Sequence, residues 1–278
     1  FSVKVCHFVF MSNHLHMLLV VDNPDDVSSF VGYIKGESAH AVNRLLGRAQ
    51  RTIWQDGYDS PVLPTAEEVI RYTKYIYLNP ARANLVESIK DYPGVSSWEL
   101  FRSDNRTKCC KRINRDMISP LWSPALSIRE QKELVSQYEE EAKSECDFVL
   151  EPDAWLECFG EIGIPIDKIN QSIIEEVAQQ ESSLSQIRKD EKKSVIGATG
   201  LRRASMMQEH EPKKRSRRMI CICRNKELRQ AFIDMFKELC AQASLTYERW
   251  KEGDFRAKIP PGMFAPRVPS LVSALSPL

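Results

Sequence analysis

Two histidines separated by one residue, His14 and His16, lie in the apolar run FVFMSNHLHMLLVV of residues 8–21. Side chains alternate across a β-strand, so both imidazoles are predicted to share one face. Neutral imidazole is a common ligand of divalent cations, and two such groups on one face favour a shared metal ion. The alternative is that both are core histidines with backbone partners. Because two ligands do not complete a metal site, further donors must come from elsewhere in the chain.

A second set of polar side chains lies in the segment EEVIRYTKYIYLNPARANLV, whose apolar residues have helical spacing. Arg71, Tyr75 and Asn79 follow one another at intervals of four, so they are predicted to lie on one face of this helix. Pro80 is expected to stop or break the helix. The alternative is that the tyrosines of this segment are amphipathic core residues with their hydroxyls at the edge.

The elements that position these residues follow from the pattern of the first hundred residues. Residues 1–21 are predicted to be extended, either as one long strand or with a turn at residues 11–13. A helix capped by Asp26 or Ser28 and ending near Gly47 should pack against the sheet. The histidine strand and the tyrosine helix would then belong to one α+β unit.

Composition places the chain among ordinary globular proteins. It has 278 residues, 42% of them hydrophobic and 9% aromatic, and a net charge of +1. This length allows two modest units, and the overall charge makes no case for a nucleic-acid partner. No apolar run approaches the roughly 20 residues that cross a bilayer, so no membrane span is expected. The chain begins at Phe1 without a targeting signal, which suggests an N-terminally incomplete protein.

The eight cysteines show no disulfide framework, and the pairs Cys109-Cys110 and Cys221-Ile222-Cys223 lack the usual zinc spacing. Reduced thiols and a cytoplasmic location are therefore expected.

The polar stretch at residues 103–115 suits a linker, so we place a boundary near residue 104. The remainder, 104–278, is predicted to be mostly helical, with helices around 128–144, 166–189 and 225–253. The segment 202–229 contains ten Lys and Arg residues against three Glu. It is either a solvated charged loop or a phosphate-binding patch. Its densest part consists of Lys213, Lys214, Arg215, Arg217 and Arg218.

The combination of MSNHLHMLL, WQDGY, YIYLNPARANLV and the closing SSW resembles the REP-associated tyrosine transposases. These enzymes form part of the single-tyrosine branch of the HUH endonuclease superfamily and are of the insertion-sequence-200-like type. The resemblance covers residues 1 to about 102, and both the order and the spacing of these motifs match those of the family. Gln55 and Tyr58 of WQDGY match family positions, and we expect a supporting role for them near the site.

The resemblance implies a ferredoxin-like antiparallel sheet with helices on one face, here without its first strand, over residues 1–103. The central strand would carry His14 and His16, and a helix would present Tyr75. The implied function is that of a DNA transposase or endonuclease that cleaves and rejoins single-stranded DNA, hairpin or REP-like, through a 5′-phosphotyrosine intermediate. No nucleotide cofactor is expected, and the protein would be a monomer or a homodimer.

The roles of the residues also have a physical rationale. Free tyrosine has a pKa of about 10, so a phosphate attacked by Tyr75 must be made more electrophilic. A divalent cation bound by His14 and His16 would do this, and a hard, open-coordinated ion such as Mg²⁺ or Mn²⁺ suits phosphate oxygens and water better than zinc does. Asn79, one helical turn beyond Tyr75, is our candidate for the third ligand. Arg71, one turn earlier, is a candidate phosphate contact.

Two other hypotheses compete with the transposase. One is a non-catalytic or domesticated nucleic-acid-binding protein that holds nucleic acid through the basic segment 202–229. The other is a metal-dependent hydrolase that uses His14 and His16 with water as the nucleophile. A Tyr75→Phe substitution separates the three, because only the transposase needs the tyrosine hydroxyl to form a covalent adduct.

Overall fold

A computed structural model of the chain describes residues 1–46, 51–103, 105–113, 143–204 and 219–263, together with 126–127, 129–130, 133–134, 136–137 and 266. The fold is mixed α+β, with helices and two small antiparallel sheets in this part of the chain. The α+β class is as predicted, while the ferredoxin-like arrangement stays a prediction. The basic residues at 213–218 lie outside the described residues.

The histidines lie at the tip of a β-hairpin. Strand β1 (Val3–Phe10) pairs antiparallel with β2 (Leu15–Val21), and the N–H of Met11 donates to the carbonyl of His14 at 2.8 Å to close the loop. The alternative of a strand with a turn at residues 11–13 is therefore confirmed, and the single long strand is wrong.

The other edge of β1 is partly covered by a short extended segment that contains Val95 and Ser97. Phe10 N–H donates to the Val95 carbonyl at 2.8 Å, and Ser97 N–H donates to the Phe8 carbonyl at 3.0 Å. Among the described residues, β2 pairs with β1 alone. The histidine strand therefore lies at an edge of the described sheet, whereas the sequence resemblance implied a central strand.

Helix α1 (Pro24–Leu45) begins immediately after the hairpin and contacts both of its strands. The side chain of Asn23 accepts a hydrogen bond from Asp25 N–H at 3.0 Å, and proline occupies the first helical position, where a missing N–H costs least. The cap is thus Asn23, and the prediction of Asp26 or Ser28 is wrong. Asn23 itself supplies the capping oxygen, so the helix begins before either of those residues.

Helix α2 (Ala66–Arg82) carries Tyr75 and begins at the cap Thr65, whose hydroxyl accepts from Glu68 N–H at 3.3 Å. It continues two residues beyond Pro80, so the predicted stop at this proline is wrong. Pro80 lies close enough to the helix end that its missing N–H removes only one bond of the last turn.

The end of α2 is fixed by a Schellman motif. Asn84 adopts a left-handed conformation with φ of 54°, and its N–H donates to the carbonyl of Ala81 at 3.1 Å. Leu85 N–H donates to the carbonyl of Pro80 at 2.9 Å. These bonds satisfy carbonyls that the helix end would otherwise leave without partners.

The remaining elements follow in chain order. They are a 3₁₀ helix (Ile89–Asp91), α3 (Trp98–Arg102), β3 (Thr107–Ile113), β4 (Lys143–Val149), a second 3₁₀ helix (Ala154–Cys158), α4 (Ile166–Asp190), α5 (Gly197–Arg203) and α6 (Lys226–Lys251). The helices predicted at 166–189 and 225–253 are confirmed by α4 and α6. The antiparallel pairing of β3 with β4 was not predicted, since β3 lies in the stretch interpreted as a linker.

One hydrophobic core extends across the predicted boundary near residue 104, which itself lies outside the described residues. Val9 and Leu18 of the hairpin and Ile76 of α2 belong to the same buried cluster as Trp155 and Ile173 from the C-terminal region. Helix α4 packs along α2, where Lys74 forms an ion pair with Glu176 at 2.5 Å. The region after residue 104 therefore contributes to the core beneath the tyrosine helix.

The eight cysteines are free thiols, and Cys6, Cys221 and Cys223 are buried. Among the helices in the described part of the chain, none is both long enough and apolar enough to cross a bilayer.

Candidate functional site

The two histidines lie together at the loop end of the hairpin. His16 is the second residue of β2 and half-buried, while His14 is exposed and ends the loop that leads into this strand. Their ring centroids are 5.0 Å apart, and the rings are nearly perpendicular. The predicted pairing of the two imidazoles is therefore present. Tyr92 holds the loop in place because its hydroxyl donates to the carbonyl of Phe10 at 2.8 Å.

The Nδ1 atom of each imidazole has a hydrogen-bond partner. His14 Nδ1 lies 2.6 Å from Asn13 Oδ1, and His16 Nδ1 lies 3.3 Å from the Tyr72 hydroxyl. A carbonyl oxygen only accepts, so Nδ1 of His14 carries the hydrogen and its Nε2 lone pair remains available. This is the second-shell arrangement that orients metal-binding histidines.

Both imidazoles are biased toward the neutral form that binds metals. Burial, followed by the nearby charge of His14, lowers the pKa of His16 to about 4. Desolvation also lowers the pKa of His14 below its ordinary value. At neutral pH both side chains are therefore neutral, so they can donate a lone pair without first losing a proton.

Tyr75 lies directly beside this pair. Its ring centroid is 5.4 Å from that of His16, at an interplanar angle of 82°. It also stacks on Tyr72 with centroids 5.4 Å apart, and the guanidinium carbon of Arg82 lies 5.5 Å from its ring centroid. The structure therefore brings Tyr75 and both histidines together, as predicted, and adds Tyr72 and Arg82.

The three tyrosines of α2 have different environments. Tyr77 is fully buried, and its hydroxyl lies 2.7 Å from His7 Nδ1 and 2.9 Å from the Ser97 hydroxyl. Burial raises its pKa well above the ordinary value. Burial and the nearby Tyr75 raise the pKa of Tyr72 to about 12. The core interpretation therefore holds for Tyr77, whereas Tyr75 is only half-buried.

Asn79 lies one turn beyond Tyr75, as the spacing predicted, and is buried. Its amide nitrogen donates to the backbone carbonyl of Tyr75 at 3.0 Å. The carbonyl oxygen of the same amide is the atom that would bind a cation.

Arg71 pairs with the buried carboxylate of Glu68, to which its Nε donates at 2.6 Å. Glu68 also accepts from the N–H of Arg224 at 2.6 Å. Burial alone would raise the pKa of Glu68, but these hydrogen bonds and the nearby positive charges lower it. Arg71, our candidate phosphate contact, is thus engaged in a structural ion pair.

The WQDGY loop docks on α1. Lys35 donates to the carbonyls of Gln55 at 2.6 Å and Gly57 at 3.1 Å, and the Tyr58 hydroxyl lies 2.7 Å from that of Ser28. Gly57 has a φ of 72°, a conformation that glycine adopts without strain. The observed contacts of Gln55 and Tyr58 are with this helix, so their role near the site stays a prediction.

Sequence reasoning missed three neighbours of the site, namely Asn13, Tyr72 and Arg82. Arg82 follows Tyr75 by seven residues, which is close to two helical turns, so its spacing would have placed it on the tyrosine face. Because a helix break was expected at Pro80, Arg82 was not assigned to the same helix as Tyr75. Asn13 is adjacent to His14, but the sequence contains no signal for its hydrogen bond.

In the described part of the chain, no group of three or more His, Cys, Asp or Glu side chains could hold a metal ion. The donor chemistry nevertheless fits a divalent cation at His14 and His16, because both are neutral and each has a partner at Nδ1. The candidate for a third protein donor stays the amide oxygen of Asn79, which lies one turn beyond Tyr75 on the same helix.

No curated protein and no solved structure matches this chain. Residues 1–79 match the model of the family described as "Transposase IS200 like". This region contains both histidines, Tyr75 and Asn79, and it is similar to the IS200-like transposases, which supports a function as a DNA transposase.

Proposed function

We propose that the protein is a DNA transposase that cleaves and rejoins single-stranded DNA through a covalent 5′-phosphotyrosine formed by Tyr75. The main support is the position of the Tyr75 ring, 5.4 Å from His16, within a region similar to transposases. The substrate class is single-stranded DNA, as a hairpin or a REP-like element.

The cleavage step exchanges one phosphate ester for another. The Tyr75 hydroxyl oxygen attacks the phosphorus atom, a new tyrosyl–phosphate bond forms, and the bond from phosphorus to the 3′-oxygen breaks. The proton lost by the phenol is balanced by the proton gained by the 3′-oxygen, which leaves as a hydroxyl. Attack of a 3′-hydroxyl on the phosphotyrosine reverses the step, so rejoining needs no nucleotide cofactor.

His14 and His16 would hold a Mg²⁺ or Mn²⁺ ion through their Nε2 atoms, and the oxygen of Asn79 is the candidate third ligand. Such an ion, when bound, polarises a non-bridging phosphate oxygen. The protein's own contribution is to fix the two imidazoles through Asn13 and Tyr72 and to place Tyr75 beside His16.

Tyr75 is a better nucleophile candidate than its neighbours for reasons of access. Tyr77 is fully buried, with its hydroxyl bonded to His7 and Ser97. The Tyr72 hydroxyl points to His16 at 3.3 Å, and burial raises the pKa of this tyrosine to about 12. Tyr75 is half-buried, and neither of these hydroxyl arrangements involves it.

The test incubates the full chain with single-stranded hairpin DNA and Mn²⁺ and follows denaturation-resistant adducts. A 5′-phosphotyrosine stays attached to the fragment downstream of the cut, so a 3′-labelled strand should give a labelled protein band. A 5′-labelled strand should instead release a fragment that ends in a hydroxyl, which a polymerase can extend.

Three substitutions identify the nucleophile. Tyr75→Phe should abolish the adduct, whereas Tyr72→Phe should still form it. Tyr247→Phe is the matched control, because Tyr247 also lies beneath a cation, with Lys251 Nζ 4.9 Å from its ring centroid, but outside the region similar to transposases. An adduct that persists in Tyr75→Phe would refute the proposal. DNA binding without any adduct would favour the non-catalytic alternative, and cleavage that survives Tyr75→Phe would favour a hydrolase.

A further inference from the structure

Arg82 is the cation that lies against the candidate nucleophile. Its guanidinium carbon is 5.5 Å from the centroid of the Tyr75 ring, and the side chain is exposed. Arg82 is the last residue of α2, and the seven-residue separation from Tyr75 places both on one face of this helix. A phosphate within reach of the Tyr75 hydroxyl would therefore lie beside this guanidinium.

The other cations of α2 have acidic partners. Arg71 pairs with Glu68, and Lys74 pairs with Glu176. Within the described ranges, Arg82 forms no ion pair with any carboxylate. Within this part of the chain no carboxylate neutralises it, and its planar guanidinium suits the two oxygens of a phosphodiester.

We propose that Arg82 binds the phosphate that Tyr75 attacks, a role for which the sequence suggested Arg71. This inference rests on the proposed function, since it assigns a substrate contact in the same site. Arg82 would orient the phosphodiester through its N–H donors and stabilise the negative charge that grows on the phosphate oxygens during attack.

The C-terminal region holds Arg82 in position. Buried Arg188 of α4 donates to the carbonyl of Ala81 at 3.0 Å, directly before Arg82. Beyond the helix end, Ile196 N–H donates to the Asn84 carbonyl at 3.0 Å and Gly197 N–H donates to the Leu85 carbonyl at 2.8 Å. These bonds fix the last turn of α2, so the backbone that carries the Arg82 side chain is held in place.

The experiment measures binding of single-stranded hairpin DNA by the full chain at several salt concentrations, in a Tyr75→Phe background so that no covalent step occurs. Adding Arg82→Gln should weaken binding about 10-fold or more and reduce the slope of log affinity against log salt by about 0.7, the value for one lost phosphate contact on a single strand. With Tyr75 present, Arg82→Gln should slow adduct formation about 100-fold.

The matched control is Arg102→Gln. The guanidinium of Arg102 lies 5.6 Å from the centroid of Trp98, so this substitution removes a similar cation–π contact without touching Tyr75. It should leave the salt slope and the rate of adduct formation unchanged. Arg82→Lys keeps the charge and should keep the slope, and thermal melting verifies that each variant is folded.

The outcomes separate the two proposals. If the unmodified chain forms the adduct but Arg82→Gln changes neither slope nor rate, the Arg82 assignment is overturned and the chemistry stands. If no adduct forms but Arg82→Gln reduces the slope, the phosphate contact stands and the chemistry fails. A slope that also falls in folded Arg82→Lys would mean that the phosphate contact needs the planar guanidinium and not charge alone, and the assignment to Arg82 would stand.

Discussion

Replacing Arg188 with methionine tests whether the C-terminal region stabilises the helix that carries Tyr75. Arg188 is 4% exposed and lies on α4. One of its terminal nitrogens donates to the Ala81 carbonyl at 3.0 Å, and the other forms an ion pair with Glu87. Methionine keeps much of the apolar packing of the arginine stem, so Arg188→Met removes mainly the polar contacts.

The expected loss follows from the two contacts. A hydrogen bond from a charged donor contributes about 1.5–3 kcal/mol, and the Ala81 carbonyl keeps the N–H of Asn84 as a partner when this bond is lost. The Glu87 side chain is 48% exposed, so solvent screens the ion pair and limits its contribution to about 0.2–1 kcal/mol. Together they predict that Arg188→Met lowers the free energy of unfolding by about 2–4 kcal/mol.

The assay is urea unfolding of the full chain at pH 7, with Glu87→Gln as the matched control. This control removes the ion pair but leaves the bond to Ala81, so its loss should be about 1 kcal/mol or less. Amide hydrogen exchange at the cap residues Ala83, Asn84 and Leu85 should also become faster in Arg188→Met than in the control, because the last turn of α2 loses its tertiary contact.

A loss of unfolding free energy in Arg188→Met no larger than that in Glu87→Gln would contradict this prediction. The bond to the Ala81 carbonyl would then contribute nothing measurable. Unchanged exchange at the cap residues alongside a large global loss would mean that Arg188 stabilises the packing of α4 but not the end of α2.

Two further predictions concern histidines. Asn13→Ala removes the acceptor of the His14 Nδ1 hydrogen, so Mn²⁺ affinity measured by electron paramagnetic resonance should fall about 10- to 100-fold, and an unchanged affinity would contradict the second-shell role. Burial, with a smaller contribution from Arg106, lowers the pKa of His7 to about 3, so only the unfolded state takes up its proton between pH 6.5 and 3. The stability that His7 contributes is therefore present above pH 6.5 and lost toward pH 3. The free energy of unfolding should fall with falling pH by at most about 1.4 kcal/mol per pH unit because of His7, and this contribution should be missing in His7→Gln. Equal pH dependence in the two proteins would show that His7 is protonated in the folded state.

Local patterns indicated the elements that carry the site, although they left the turn at residues 11–13 as one of two alternatives and placed the end of α2 too early. The hairpin follows from alternating apolar residues around a polar turn, and α2 follows from helical spacing behind the Thr65 cap. The approach of His16 to Tyr75 could be expected because the sequence resembles a family in which these motifs meet. The geometry of that contact required the structure.

The features that the sequence did not predict depend on contacts between distant residues. Strands β3 and β4 are rich in charged residues, and their two segments are separated by almost thirty residues, so no local turn signal indicates the pairing. Past Pro80, the last turn of α2 accepts a hydrogen bond at the Ala81 carbonyl from Arg188, which lies more than a hundred residues further along the chain. Hydrogen bonds of this kind override the local preference of proline.

The hydroxyl of Tyr77 has a consequence for the orientation of α2. It is fully buried and bonded to His7 on β1 and to Ser97. A rotation of the helix by one residue, about 100°, would take this hydroxyl away from both partners, and an unsatisfied buried group costs about 1–3 kcal/mol. The same rotation would move Tyr75 away from His16. The buried Tyr77 therefore disfavours the neighbouring orientations of α2 and keeps the face that carries Tyr72 and Tyr75 turned toward His16.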